Sequence, residues 1–164
     1  MPLKRRTLRP VCRPAAALLT LALSLPVAGC GSTLMKQHVE ANAKQWHLVV
    51  REVQDGPNSM PVQNFRYEPE SGERFLHVWV TLRNDASQKR KWNWPRCGLD
   101  HGDKEYIPTL VLFDLMVNAP AEQEQELDPS ETIERRVIFT YPDAGPLPTR
   151  LRCGELDVPL QLVK

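Results

Sequence analysis

With 21 Lys or Arg and 20 Asp or Glu among 164 residues, the chain has room for one domain with a buried core and too little for two. The charge is uneven, because Lys4, Arg5, Arg6, Arg9 and Arg13 all fall in the first 29 residues, which hold no acid. The remaining 16 basic and 20 acidic residues give a formal charge of −4. That argues against a nucleic-acid partner, whose surface calls for an excess of Lys and Arg.

The N-terminal segment has the layout of an export signal. Met1–Pro14 carries the positive charge, and Ala15–Ala28 is an uncharged stretch rich in Ala and Leu. The stretch is shorter than the ~20 residues a spanning helix needs, and Pro26 breaks it. Arg5-Arg6 hints at a twin-arginine signal, but Thr7-Leu8-Arg9 fits that pattern poorly, so general secretion is expected. Val27-Ala28-Gly29-Cys30 resembles the lipobox of bacterial lipoproteins at all four positions. In that family the cysteine thiol takes a diacylglycerol, the signal is cut before it, and the new amino group is acylated. The resemblance implies that 1–29 is a signal peptide and Cys30 the lipidated first residue. Two or three acyl chains such as palmitate then hold the protein stably on a membrane. Gly31 rather than Asp after the cysteine implies, by likeness to enterobacterial sorting, the outer membrane with the domain facing the periplasm.

Residues 30–45 are read as the lipidated Cys30 and a tether or short helix. Leu34, Met35, His38 and Val39 have roughly helical spacing among polar neighbours. From Trp46 the period is two: Trp46, Leu48 and Val50 alternate with His47, Val49 and Arg51, as in a half-buried strand. Gln54–Ser71, rich in Pro, Gly, Asn and Ser, is a long connection with a short strand near Phe65-Arg66-Tyr67. Phe75–Arg83 is the strongest strand, with Leu76, Val78, Val80 and Leu82 on one face and Phe75, His77, Trp79 and Thr81 on the other. Bulk on both faces predicts a central strand. Tyr106-Ile107 and Leu110–Val117 are apolar enough for strands, and Ala119–Glu126 is a polar connection. Leu127-Asp128-Pro129-Ser130-Glu131 is a turn with Pro at its first corner. Ile133–Tyr141 alternates again, and Arg150–Cys153 and Leu156–Val163 close the domain as short strands. About seven short strands, turns between them and no convincing helix predict an all-β antiparallel sandwich over 46–164.

Three stretches carry a second resemblance. Trp46-His47-Leu48-Val49-Val50, the run Phe75–Asn84, and Leu127–Thr132 leading into Val137-Ile138-Phe139 look like the uncharacterised, secreted immunoglobulin-like domains of bacterial lipoproteins. The likeness covers roughly Gln45–Val163, and Ser130 stands where the family's turn has Gly. It implies an immunoglobulin-like sandwich outside the cytoplasm and brings no catalytic residues.

Cys12 leaves with the signal and Cys30 is acylated, so Cys97 and Cys153 are left to pair in an oxidising compartment. Two metal-binding thiolates would need His or Cys partners at ligand spacing, and none is evident, so no metal or cofactor is expected. His47 and His77 on neighbouring strands are a remote metal pair, His101-Gly102-Asp103 reads as a polar turn, and Glu122, Glu124 and Glu126 as a solvated acidic loop. No nucleophile motif, zinc-protease motif or phosphate-cradling loop appears, which points away from an enzyme.

The best binding candidate is Lys89, Arg90, Lys91, Trp92, Trp94 and Arg96. Two Trp two residues apart point to one side of an extended chain, and the cations suit lipid headgroups, lipopolysaccharide phosphates or an acidic protein. The plainer account packs one or both Trp over the sandwich end or the disulfide. The expectation is a non-enzymatic, membrane-anchored protein-binding or structural module contacting an envelope protein. The alternative is a module that binds envelope lipid or glycan through Trp92 and Trp94.

Overall fold

The computed structural model describes residues 6–7, 32–35, 38–113 and 118–163. Cys30, and the signal apart from Arg6 and Thr7, lie outside the described residues, as does the 114–117 part of the strand expected over Leu110–Val117. The first half of the chain forms β1 (Arg6–Thr7), β2 (Thr33–Met35), β3 (Val39–Ala43), β4 (Trp46–Asp55), β5 (Met60–Val62), β6 (Phe65–Tyr67) and β7 (Glu73–Asn84). The second forms β8 (Arg90–Asn93), a 3-10 turn (Trp94–Arg96), β9 (Cys97–His101), β10 (Lys104–Tyr106), β11 (Pro108–Phe113), β12 (Glu124–Leu127), β13 (Thr132–Pro142), β14 (Arg150–Cys153) and β15 (Leu156–Pro159).

Seven of these strands make the immunoglobulin-like sandwich read from the sequence. One antiparallel sheet runs β11-β13-β7-β4 and the other β9-β14-β15, which is the ABED and CFG arrangement. The other segments extend edges or cap ends. β10 adds to β9, and β2 and β3 add in series to the outer edge of β4. β8 pairs with β12, and β6 lies between β5 and the two-residue β1. The core lies between the sheets, where Leu76, Val78, Val80 and Leu82 meet Val137 and Phe139, with Leu99, Leu151 and Val158 opposite.

Within the segment read as a tether or short helix, Thr33–Met35 and Val39–Ala43 are strand. Val39 pairs with Val50, Ala41 with Leu48 and Ala43 with Trp46, while Leu34 and Met35 are buried. Val39, Ala41 and Ala43 face the core and Glu40 and Asn42 face water, a period of two that the helical reading passed over. The deciding force is not local. The edge of β4 presents backbone donors and acceptors that β2 and β3 satisfy. The folded domain therefore begins near Ser32 rather than at Trp46.

β7 is central, between β13 and β4. Its second apolar face is covered where the β5–β6 hairpin lies on the sheet: Met60, Val62 and Tyr67 pack on Phe75, Leu112 and Ile138. The chain enters this layer at Gly56, whose N–H donates to the Phe75 carbonyl at 2.9 Å. A Cβ there would lie 2.7 Å from Phe75 Cβ and 2.8 Å from His77 Nε2, so only glycine fits.

His77 lies in the same layer, 5% exposed and between the rings of Phe75 and Trp79. Burial, with Arg136 nearby, lowers its pKa to about 4. The unfolded chain, with an ordinary His, binds a proton below about pH 6.5 and the folded one only near pH 4, so stability falls as pH drops through that window. The loss amounts to about 3 kcal/mol at its acid end. His77→Phe is expected to flatten the profile of chemical-denaturation stability between those pH values, and an unchanged slope would refute the assignment.

The strand-end Asn and the Pro turn prove to be one structural unit. Asn84 is fully buried, and its Nδ2 donates to the carbonyls of Gln88, Leu127 and Asp128 at 2.9, 3.0 and 3.2 Å. Its Oδ1 accepts from the Ala86 N–H, and its backbone bonds Ser130 and Glu131. The turn places Ser130 at φ 64°, the left-handed region that favours glycine. Ser130→Gly is expected to stabilise the domain by about 1 kcal/mol, read as a raised denaturation midpoint.

Candidate functional site

The basic-aromatic segment folds as β8 and the 3-10 turn across one end of the sandwich. Its tryptophans do not form an outward surface. Trp92 is 6% exposed and Trp94 not at all, and both belong to the core with Cys97 and Cys153. They lie ring against ring on one side, and that side packs on the core, with β12 paired along the edge of β8. Both indole nitrogens are buried without a hydrogen-bond partner among the described residues, so packing alone holds the rings.

Lys89, Lys91 and Arg96 are exposed, whereas Arg90 is half-buried on the Trp92 side of β8 with its Nε enclosed, and the two lysines are committed. Lys89 pairs with Asp128 and Lys91 with Glu124, each at 3.1 Å, and these contacts raise both lysine pKa values. The acidic run read as a solvated loop includes β12, whose Glu124 and Glu126 stand opposite Asn93 and Lys91. Two of the segment's four cations thus pair with acidic residues of the same chain, which reduces the charge contrast it presents to a partner.

What remains open at this end is a cleft of about 210 Å³ between the β3–β4 turn, β8, the 3-10 turn and the β14–β15 turn. Trp46 lines it, half-buried, and meets Trp92 edge-on with ring centroids 5.0 Å apart. Trp92 rests on Trp94 at 5.7 Å, so the two buried rings form the support on which Trp46 is held. Lys44, Lys91, Arg96 and Glu155 stand at the rim with the Asn93 amide. Among the described residues neither Lys44 nor Arg96 makes an ion pair, so both cations are available to a ligand. Lys44 and Trp46 went unnoticed in the sequence because Trp46 reads as the first inward residue of a strand. The signal present was a cation two residues before a Trp, the spacing at which Arg90 precedes Trp92.

A shallower depression of about 530 Å³, lined by His38, Arg51, Glu52 and Trp79, lies elsewhere. Its charges are engaged, Arg51 with Glu134 at 3.3 Å and Glu52 with Gln54 at 2.7 Å.

The histidines stay apart. His47 stands opposite Arg83 and contacts Glu40 at 3.0 Å, whereas His77 stands opposite Gln54. His101 ends β9 at the turn before β10, packed on Tyr106 and Tyr141. No group of three or more His, Cys, Asp or Glu able to hold a metal occurs among the described residues. Cys97 and Cys153 form a disulfide directly across β9 and β14, within one sheet rather than between sheets. No described helix is long and apolar enough to cross a membrane.

No known family profile matches the chain, and no curated protein matches it. Among solved structures, an uncharacterised β-sandwich protein from Clostridium difficile 630 is similar at a TM-score of 0.46 and 17% identity, over 63% of this chain and 73% of its own. A functionally unknown protein from Listeria monocytogenes EGD-e is similar at 0.48 and 10%, over 71% and 68%.

Proposed function

We propose that this chain is a bacterial envelope lipoprotein, anchored through acylated Cys30, whose sandwich is a non-catalytic binding module. The observation that supports it best is the cleft itself: a half-buried indole on a rigid two-ring support, with two uncommitted cations beside it. Concave sites with an aromatic floor and a few polar groups are where proteins hold small ligands or single groups of larger ones. The concavity favours the ligand-binding reading over a broad protein interface, with Trp46 in the role first given to Trp92 and Trp94.

The test is crosslinking in intact cells followed by affinity capture, comparing the wild type with Trp46→Ala and with Lys44→Ala/Arg96→Ala. Loss of one captured envelope component in both folded variants is the expected result. Equal capture by all three would reject the cleft. In cells fed labelled palmitate the wild type should take up the label and Cys30→Ser should not, and label on Cys30→Ser or none on the wild type would reject the lipid anchor.

A further inference from the structure

We infer that the cleft faces away from the membrane that holds Cys30 and takes a carboxylate-bearing sugar unit of an envelope polysaccharide. This deepens the binding reading above and rests on it.

The placement follows from β4. Its last residue, Asp55, donates its N–H to the Ser32 carbonyl at 2.9 Å, so the chain enters the domain beside the end of that strand. Its first residue, Trp46, lines the cleft. Ten residues at about 3.3 Å each separate the two ends by roughly 30 Å. Cys30 precedes Ser32 by two residues, a reach of about 7 Å, so the cleft lies far along β4 from the anchor and meets the lipid surface only if the domain lies flat on it. With β4 standing up from that surface, headgroups of the anchoring membrane are out of reach of this end of the sandwich.

The chemistry narrows the rest. An indole face packs on the C–H surface of a sugar ring, and the planar amides of Gln45 and Asn93 donate and accept, as ring hydroxyls require. Glu155 supplies a further acceptor for hydroxyls. Lys44 and Arg96 call for an anion, and the planar guanidinium suits a carboxylate. A volume of about 210 Å³ suits one ring of a polymer rather than a length of it.

The experiment uses the full chain reconstituted in phosphatidylcholine nanodiscs. Oligogalacturonate, maltotriose and triglutamate are titrated by calorimetry and tryptophan fluorescence. Oligogalacturonate should bind and change the emission. Maltotriose and triglutamate should bind about tenfold or more weakly, and Lys44→Ala/Arg96→Ala should weaken the oligogalacturonate complex by a similar factor with an unchanged thermal midpoint. Brominated phospholipid in the disc should leave the emission intact. Quenching that disappears in Trp46→Phe would overturn the placement. Preference for maltotriose or triglutamate through Trp46, or failure of all three sugars and peptides while Trp46→Ala still loses its crosslinked component, would overturn the acidic sugar but not the binding cleft. No binding and no lost crosslink would overturn both.

Discussion

Trp94→Ala is expected to lower the stability of the domain by about 3–5 kcal/mol, measured by urea denaturation followed by circular dichroism. Trp94 is a fully buried side chain, in contact with Trp92 and part of the core that includes the disulfide. Its removal leaves a cavity that neighbours held in two sheets cannot collapse to fill. That is a large share of the 5–15 kcal/mol by which small domains are stable, so the variant would be partly unfolded at growth temperature. By contrast, Lys44→Ala and Arg96→Ala remove exposed cations without ion-pair partners among the described residues and should change stability by no more than about 0.5 kcal/mol. A variant lacking both Trp92 and Trp94 would therefore report on folding, not on recognition. A loss below about 1 kcal/mol for Trp94→Ala would contradict the packing described for this end of the sandwich.

Removing the disulfide is the second large effect. Cys97 and Cys153 are 56 residues apart in sequence and directly opposite in register, each 1% exposed. Opening a loop of that length restores chain entropy to the unfolded state worth about 4 kcal/mol. Cys97→Ala/Cys153→Ala should lower the denaturation free energy by that order, and dithiothreitol should lower the wild-type midpoint while leaving the double variant unmoved. A midpoint insensitive to reductant in the wild type would show that the bond is not formed. Only an oxidising compartment keeps this stabilisation in place. Material made in a reducing cytosol should fold to a less stable domain.

The sandwich was legible because its main strands are patterned at a period of two. In β7 both faces carry apolar side chains, and that marked it as central before any partner strand was known. The Asn84 and Pro-turn motifs were also visible, but only as two separate features. Their joining depends on β7 and β13 lying side by side, which brings the Asn84 amide onto the carbonyls of Leu127 and Asp128 more than 40 residues away.

The site was much less legible. Periodicity says that Trp92 and Trp94 share a side and is silent on whether that side meets water or core. The packing of β8 and the 3-10 turn on the core settled it, and the strand paired with β8, β12, comes from a polar stretch with no strand signature. The edge strands β2 and β3 escaped notice for a related reason. Their side chains satisfy either period, and what holds them is the open backbone edge of β4.

The local chemistry of the chain, then, determined the alternating strands, the turns between them, two cysteines able to pair and the acidic balance of residues 30–164. Each is a property of neighbours in sequence, where side-chain spacing and backbone preference act over a few residues. The tertiary structure alone decided which tryptophan is presented, which lysines are neutralised, and which end of the domain carries the cleft. Those depend on pairings between strands distant in sequence, whose energies come from burial and from backbone edges that no short stretch of sequence contains.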